Sequence, residues 1–117
     1  MDFAIWFYET VDGGCPVRDF LEELKRTNPD DHQAVLAGLN KLKNGQNHRE
    51  PLSKPLRDGL LELRHVGKLN TRIIWFFREG RRIILVHGIR NKSQKISGAD
   101  FDTAMRRMKD WNRRNGK

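Results

Sequence analysis

Two apolar runs, Thr71 to Arg78 and Arg81 to Ile89, stand on either side of Glu79-Gly80, and they constrain the fold more than any other stretch of the chain. Both are rich in β-branched and aromatic residues, a composition that fits a pleated, packed surface. A two-residue connection with Gly in second place suits a primed turn, so the runs are expected to form an antiparallel hairpin. Leu60 to Val66 has the same character and adds a third strand ahead of them. The predicted register pairs Arg78 with Arg81 and, further from the turn, Arg72 with His87. If residues 67–70 form an even-length connection, His65 joins that row; an odd-length loop with a bulge brings Arg64 there instead. Either way one face gathers cations. The other face is expected to carry Leu61, Leu63, Ile73, Trp75, Phe77, Ile84 and Val86, while Ile74, Phe76, Ile83 and Leu85 make the cationic side apolar as well. Such a sheet has to be covered twice.

The flanking segments supply the cover. Phe3 to Tyr8 is a short apolar run ending in the turn-like stretch from Thr10 to Gly14, and reads as a buried strand. Pro16 then opens an amphipathic helix with Val17, Phe20, Leu21 and Leu24 on one side. Cys15 falls at the cap position, where a poor cap is a better reading than a reactive thiol, since no base lies nearby in sequence. Asn28-Pro29-Asp30-Asp31 repeats the start signal with an Asx cap and two acids against the positive end of the dipole. Val35, Leu36, Leu39 and Leu42 form the stripe of this second helix, and Asn44-Gly45 closes it. The two helices read as a hairpin over one sheet face, with His32 and His48 solvated. Residues 46–55 are loop-like. Ser97 to Trp111, capped by Ser97 with Asp100 in the first turn, is a third helix whose stripe of Phe101, Ala104, Met105, Met108 and Trp111 can cover the other face. That cover is either completed by a protein partner or sufficient by itself.

The charge is localised. From Lys54 to Lys95 eleven Lys/Arg face three acids, which accounts for the whole net charge of +8, and the rest of the chain is balanced. A single basic block in a neutral chain suggests a surface for polyanions. No linker or repeat divides the 117 residues, so residues 1–117 are expected to form one α+β domain of order β-α-α-β-β-β-α. One Cys and four scattered His exclude a disulfide and a zinc pattern. Phe3 to Tyr8 is too short for a signal sequence or a membrane span. A cytoplasmic protein without metal, cofactor or membrane association is expected.

Cations projecting from an antiparallel sheet suit phosphate contacts. Arg offers bidentate phosphate binding and permanent charge, Lys54 and Lys92 can change pKa when crowded, and His65 or His87 can titrate near neutrality. Such a set is sufficient to cut RNA through its own 2′-hydroxyl: a base removes that proton, cations hold the pentavalent intermediate, and an acid protonates the leaving 5′-oxygen. DNA lacks the nucleophile. The competing readings are a satisfied sheet histidine for His87 and a solvated hairpin tip for Arg78, Arg81 and Arg82. Arg64, Arg72 and Arg90 are harder to dismiss, because arginines beside apolar strand positions are unfavourable without an anion or a partner.

The element order, together with Leu61-Glu62-Leu63-Arg64, Thr71-Arg72-Ile73-Ile74-Trp75 and the run from Ile84 through His87, Arg90 and Lys92 to Lys95, resembles the RelE/ParE toxin superfamily. It resembles most closely the phage-derived, HigB-like branch of type II toxin-antitoxin toxins. Lys54-Pro55-Leu56-Arg57-Asp58-Gly59 fits the same pattern. The resemblance implies a RelE-like fold, with an N-terminal strand and helical hairpin packed on an antiparallel sheet. It implies a ribosome-dependent mRNA endonuclease and a cognate antitoxin, typically a helix-turn-helix DNA-binding protein. Arg64, Arg72 and Arg90 match its catalytic arginines, and His87 or Lys92 would take the acid or base role. Lys54 and Arg57 match basic positions before the sheet and, with Lys68 and Lys95, would bind RNA. The tyrosine that serves RelE near its C-terminus has no equivalent, since the one tyrosine here is Tyr8, so the general base is open. A ParE-like gyrase inhibitor and a non-catalytic RNA-binding module are the alternatives.

Overall fold

The computed structural model describes residues 2–49, 52–64, 70–91 and 95–116. In chain order the elements are β1 (Ala4–Phe7), α1 (Pro16–Thr27), α2 (Pro29–Leu42), a 3₁₀ turn (Gly45–Asn47), β2 (Ser53–Pro55), β3 (Leu60–Arg64), β4 (Asn70–Arg78), β5 (Arg82–Asn91) and α3 (Gly98–Asn115). This is the expected α+β order with one added strand, β2, in a segment that reads as loop. The five strands form one mixed sheet in the order β1-β5-β4-β3-β2. β2 to β5 are antiparallel to their neighbours, and β1 joins the edge parallel to β5.

Pro at the first helical position starts both hairpin helices. Asn28 ends α1 and caps α2, its side chain accepting a hydrogen bond from the Asp31 amide at 3.2 Å. Val17, Leu21 and Leu24 of α1 and Val35, Leu39 and Leu42 of α2 pack on Leu61, Leu63, Ile73, Trp75, Ile83 and Leu85. Gly88 permits this contact: a Cβ there would lie 2.5 Å from the Phe20 ring. On the other face Leu60, Ile74, Phe76, Ile84, Val86 and Ile89 pack with Tyr8 and with Ala104 and Trp111 of α3. The apolar residues of β3, β4 and β5 are buried on both faces except Phe77. β1 is not the buried strand expected: it is an edge strand, and its Trp6 and Phe7 are exposed. No helix among the described residues is long and apolar enough to cross a membrane.

The predicted hairpin register is corrected by one residue. Gly80 (φ 82°) and Arg81 (φ 56°) both adopt left-handed backbone, so Arg81 belongs to a three-residue connection and Arg78 pairs with Arg82. Because strand side chains alternate, a slip of one residue exchanges the faces of β5. Ile84 and Val86 therefore face α3, and Ile83 and Leu85 face the helical hairpin, the reverse of the expectation. A second irregularity follows: Trp75 pairs with Leu85 but Ile74 with His87, leaving Val86 as an extra residue. This β-bulge turns both Val86 and His87 toward α3. Arg72 consequently pairs with Ile89, not with His87, and it is Arg64 that stands across from Arg72 on β3. His65, Lys68 and Lys92 lie outside the described residues. His48 is not solvated. Its ring packs on Phe3, Trp75 and Phe77 at centroid distances of 4.7, 5.1 and 4.8 Å, and its Nε2 donates to the Leu42 carbonyl at 2.6 Å.

Candidate nucleic-acid interface

The β2 strand creates the site. It pairs with β3 so that Lys54 lies across from Glu62, and the chain returns through a tight turn at Asp58 and Gly59, both with positive φ. That turn holds Arg57 over the Phe101 ring of α3, 4.3 Å from its centroid. Between this edge of the sheet and the start of α3 lies a cleft of about 390 Å³ lined by Lys54, Leu56, Arg57, Glu62, Lys95 and Phe101, with the first turn of α3 completing it. Ser97 caps the helix, its Oγ accepting from the Asp100 amide at 3.1 Å. The positive end of the α3 dipole thus opens onto the same space as three cationic side chains.

The inner wall is a buried ion pair. Arg72 is 6% and Glu62 4% exposed, with Arg72 Nε 3.3 Å from Glu62 Oε1. The contact lacks hydrogen-bond alignment: Glu62 Oε1 and Arg72 NH1 are both buried without a hydrogen-bond partner among the described residues. Arg64, half-buried, is on the same face of the sheet as Glu62.

Two other predicted residues sit elsewhere. Arg90 follows Gly88 onto the hairpin face, where its NH1 donates to Thr27 Oγ1 at 3.0 Å. His87 faces α3, yet both of its ring nitrogens are engaged. Arg107 NH1 donates to Nδ1 at 3.2 Å and to the Val86 carbonyl at 2.8 Å. Nδ1 is therefore the acceptor, and Nε2 carries the proton donated to Asp100 Oδ1 at 2.7 Å. Burial pushes the Asp100 carboxyl up, but hydrogen bonds from His87 and Ser97 outweigh it, leaving the group below the usual carboxylate range. Burial lowers the Arg107 guanidinium. His87 ties β5 to the first turn of α3 and so holds one wall of the cleft.

Of the predicted positions, the fold gathers Lys54, Arg57 and Lys95 around one cleft, with Arg72 behind Glu62. Sequence reasoning missed Glu62, Phe101 and Arg107. Glu62 carried one available signal: it breaks the alternation of a strand whose partner positions are apolar. The roles of Phe101 and Arg107 depend on where α3 crosses the sheet, which no local pattern records.

A sheet edge and a helix start thus share one cationic cleft in a small α+β protein. The family model for the phage-derived protein Gp49-like family (DUF891) matches residues 22–109, and the chain belongs to that family, which lies within the RelE superfamily of toxin-antitoxin toxins. The match spans both sheet faces and every described residue of the cleft. Family membership implies a toxin role with an antitoxin as partner. A search of curated proteins gave no match.

Proposed function

We propose that this chain is the toxin of a HigB-like type II system and acts in the cytoplasm as a ribosome-dependent mRNA endonuclease, cutting through the 2′-hydroxyl without a metal. A helix-turn-helix antitoxin would hold it inactive. The observation that carries the reading is the cleft, where Lys54, Arg57 and Lys95 converge on the N-terminus of α3. Three cations and a helix dipole suit consecutive phosphates of a single strand. Phe101 under Arg57 offers a stacking surface for an unpaired base. Lys54, Arg57 and Lys95, with Lys68, form the RNA-binding set. Arg64, Arg72, His87, Arg90 and Lys92 are the catalytic candidates, and Arg72, behind the cleft wall, is the one that the geometry favours.

The test is expression of the wild-type chain in growing cells, with 5′-end mapping of transcripts soon after induction. Growth arrest with new cuts inside translated reading frames, absent from an Arg57→Ala/Lys95→Ala variant, is the expected outcome. Arrest with intact mRNA would overturn the nuclease and favour gyrase inhibition. Binding of RNA without arrest would favour a non-catalytic module.

A further inference from the structure

Among the described residues lining the cleft, Glu62 is the single acid. It stands on β3 between Leu60 and Arg64, across from Ile74, where an apolar side chain would pack without a charge to neutralise. Burying a carboxylate there is unfavourable unless its counter-charge is well aligned. Arg72 supplies the charge at 3.3 Å but does not close the pair: Glu62 Oε1 and Arg72 NH1 each lack a hydrogen-bond partner among the described residues. A pair retained for packing alone would use the guanidinium fork. Here Glu62, in the wall of a cleft with cationic sides, keeps an unused acceptor, and the guanidinium behind it does not close the pair. A ribose 2′-hydroxyl next to its own phosphate needs an acceptor for the hydroxyl proton and cations for the phosphoryl oxygens.

Building on the nuclease reading above, we propose that Glu62 is the general base of this cleft, with Arg72 as the residue that orients it and supplies its counter-charge. The carboxylate takes the proton of the 2′-hydroxyl as O2′ forms its bond to phosphorus. Lys54, Arg57 and Lys95 stabilise the pentavalent phosphorane. The bond from phosphorus to O5′ breaks, and O5′ takes a proton from water in the open cleft. The hydroxide so formed is neutralised by the proton held on Glu62, leaving a 2′,3′-cyclic phosphate and a 5′-hydroxyl. Among the described residues, the charged groups that line the cleft with Glu62 are cations, Lys54 from β2, Arg57 from the β2–β3 turn and Lys95 ahead of α3; Arg72 of β4 pairs with it, and Arg64 lies further along its own strand.

The experiment follows cleavage of an mRNA on translating ribosomes by the wild-type chain, Glu62→Gln and Glu62→Ala, each checked for folding by circular dichroism. The wild-type is expected to leave cyclic-phosphate and 5′-hydroxyl ends. Both variants are expected to lose on the order of a hundredfold or more in rate, and added formate is expected to restore part of the activity of Glu62→Ala but not of Glu62→Gln. Wild-type rates in Glu62→Gln, or a folded, inactive Glu62→Ala unmoved by formate, would overturn the assignment and leave the nuclease standing. Should neither variant fold, Glu62→Asp decides, since it keeps the charge against Arg72 and withdraws the carboxylate by one methylene. A folded Glu62→Asp slowed on the order of tenfold or more supports the assignment, and an unchanged rate overturns it. Absence of any cleavage by the wild-type would overturn the nuclease reading, and this assignment with it.

Discussion

Arg72 stands directly across from Arg64 in the sheet, and its guanidinium meets the Glu62 carboxylate at 3.3 Å. Like charges on facing strand positions repel, and the buried carboxylate beside them offsets that repulsion. Arg72→Ala leaves Glu62 buried without its partner, and is expected to lower stability by about 3–5 kcal/mol. Urea unfolding measures the loss. The double variant Glu62→Leu/Arg72→Met, which removes both charges at similar volume, is expected to recover most of it. Equal losses in the single and double variants would show that the two side chains are not coupled.

Lys54, Arg57 and Lys95 are exposed, so replacing any of them with Ala is expected to leave the thermal midpoint nearly unchanged while weakening RNA binding. Removing one phosphate-binding cation is expected to flatten the dependence of log affinity on log salt by about 0.7 for a single strand. Titrations of a short oligoribonucleotide at several salt concentrations give the slope. A slope unchanged in all three variants would remove the cleft from the RNA path.

Gly88 faces Phe20 so closely that Gly88→Ala would bring the new Cβ to 2.5 Å from the ring. Either α1 or β5 has to move, and overpacking of this kind costs about 1–3 kcal/mol. The expected result is a lower melting temperature, with Gly88→Ala/Phe20→Leu partly restored.

Asp110 accepts hydrogen bonds from the Tyr8 hydroxyl at 2.7 Å and from Arg114 NH2 at 2.7 Å, and Arg113 joins the same carboxylate. The Tyr8 and Arg114 contacts pull its carboxyl from the ordinary 3.8 to about 2. A carboxyl depressed on folding contributes stability that is complete above its unfolded value and lost as pH falls through its folded value. Stability is therefore expected to decline from about pH 4 toward pH 2. Asp100, depressed in the same direction, adds to the decline. Burial and the Asp110 hydrogen bond raise the Tyr8 hydroxyl, so its contribution is complete below its unfolded value near 10 and lost at higher pH. Tyr8→Phe is expected to flatten the alkaline limb, and Asp110→Asn the acid one, in melts across the pH range.

The helices were legible because their signals are local. Pro16, Asn28-Pro29 and Ser97 with Asp100 mark starts that the structure uses, and the apolar stripes of α1, α2 and α3 are the faces that pack, except for Leu36 of α2, which is exposed. β2 was not legible: Ser53–Pro55 is three residues long, and its strand character comes from pairing with β3. Arg81 misled the register because a non-glycine residue in left-handed backbone has no dependable sequence signal. The error then spread along β5, since every side chain changes face when a strand slips by one.

The cleft divides the same way. The concentration of cations between Lys54 and Lys95 is a property of the sequence alone, as are the alternating strands, the capped helices and the resemblance in their order. Which of those cations converge was decided only by tertiary structure. Lys54, Arg57 and Lys95 come from two segments some forty residues apart, brought to one place by the β2–β3 pairing and the path of α3. Arg90 is turned to the opposite face by the alternation beyond the bulge, and His87 is drawn into bonds with Asp100 and Arg107. Composition and periodicity act over a few residues, so they determine elements and charge; register, bulges and the burial of Glu62 against Arg72 are set by contacts between strands, and these exist only once the sheet has formed.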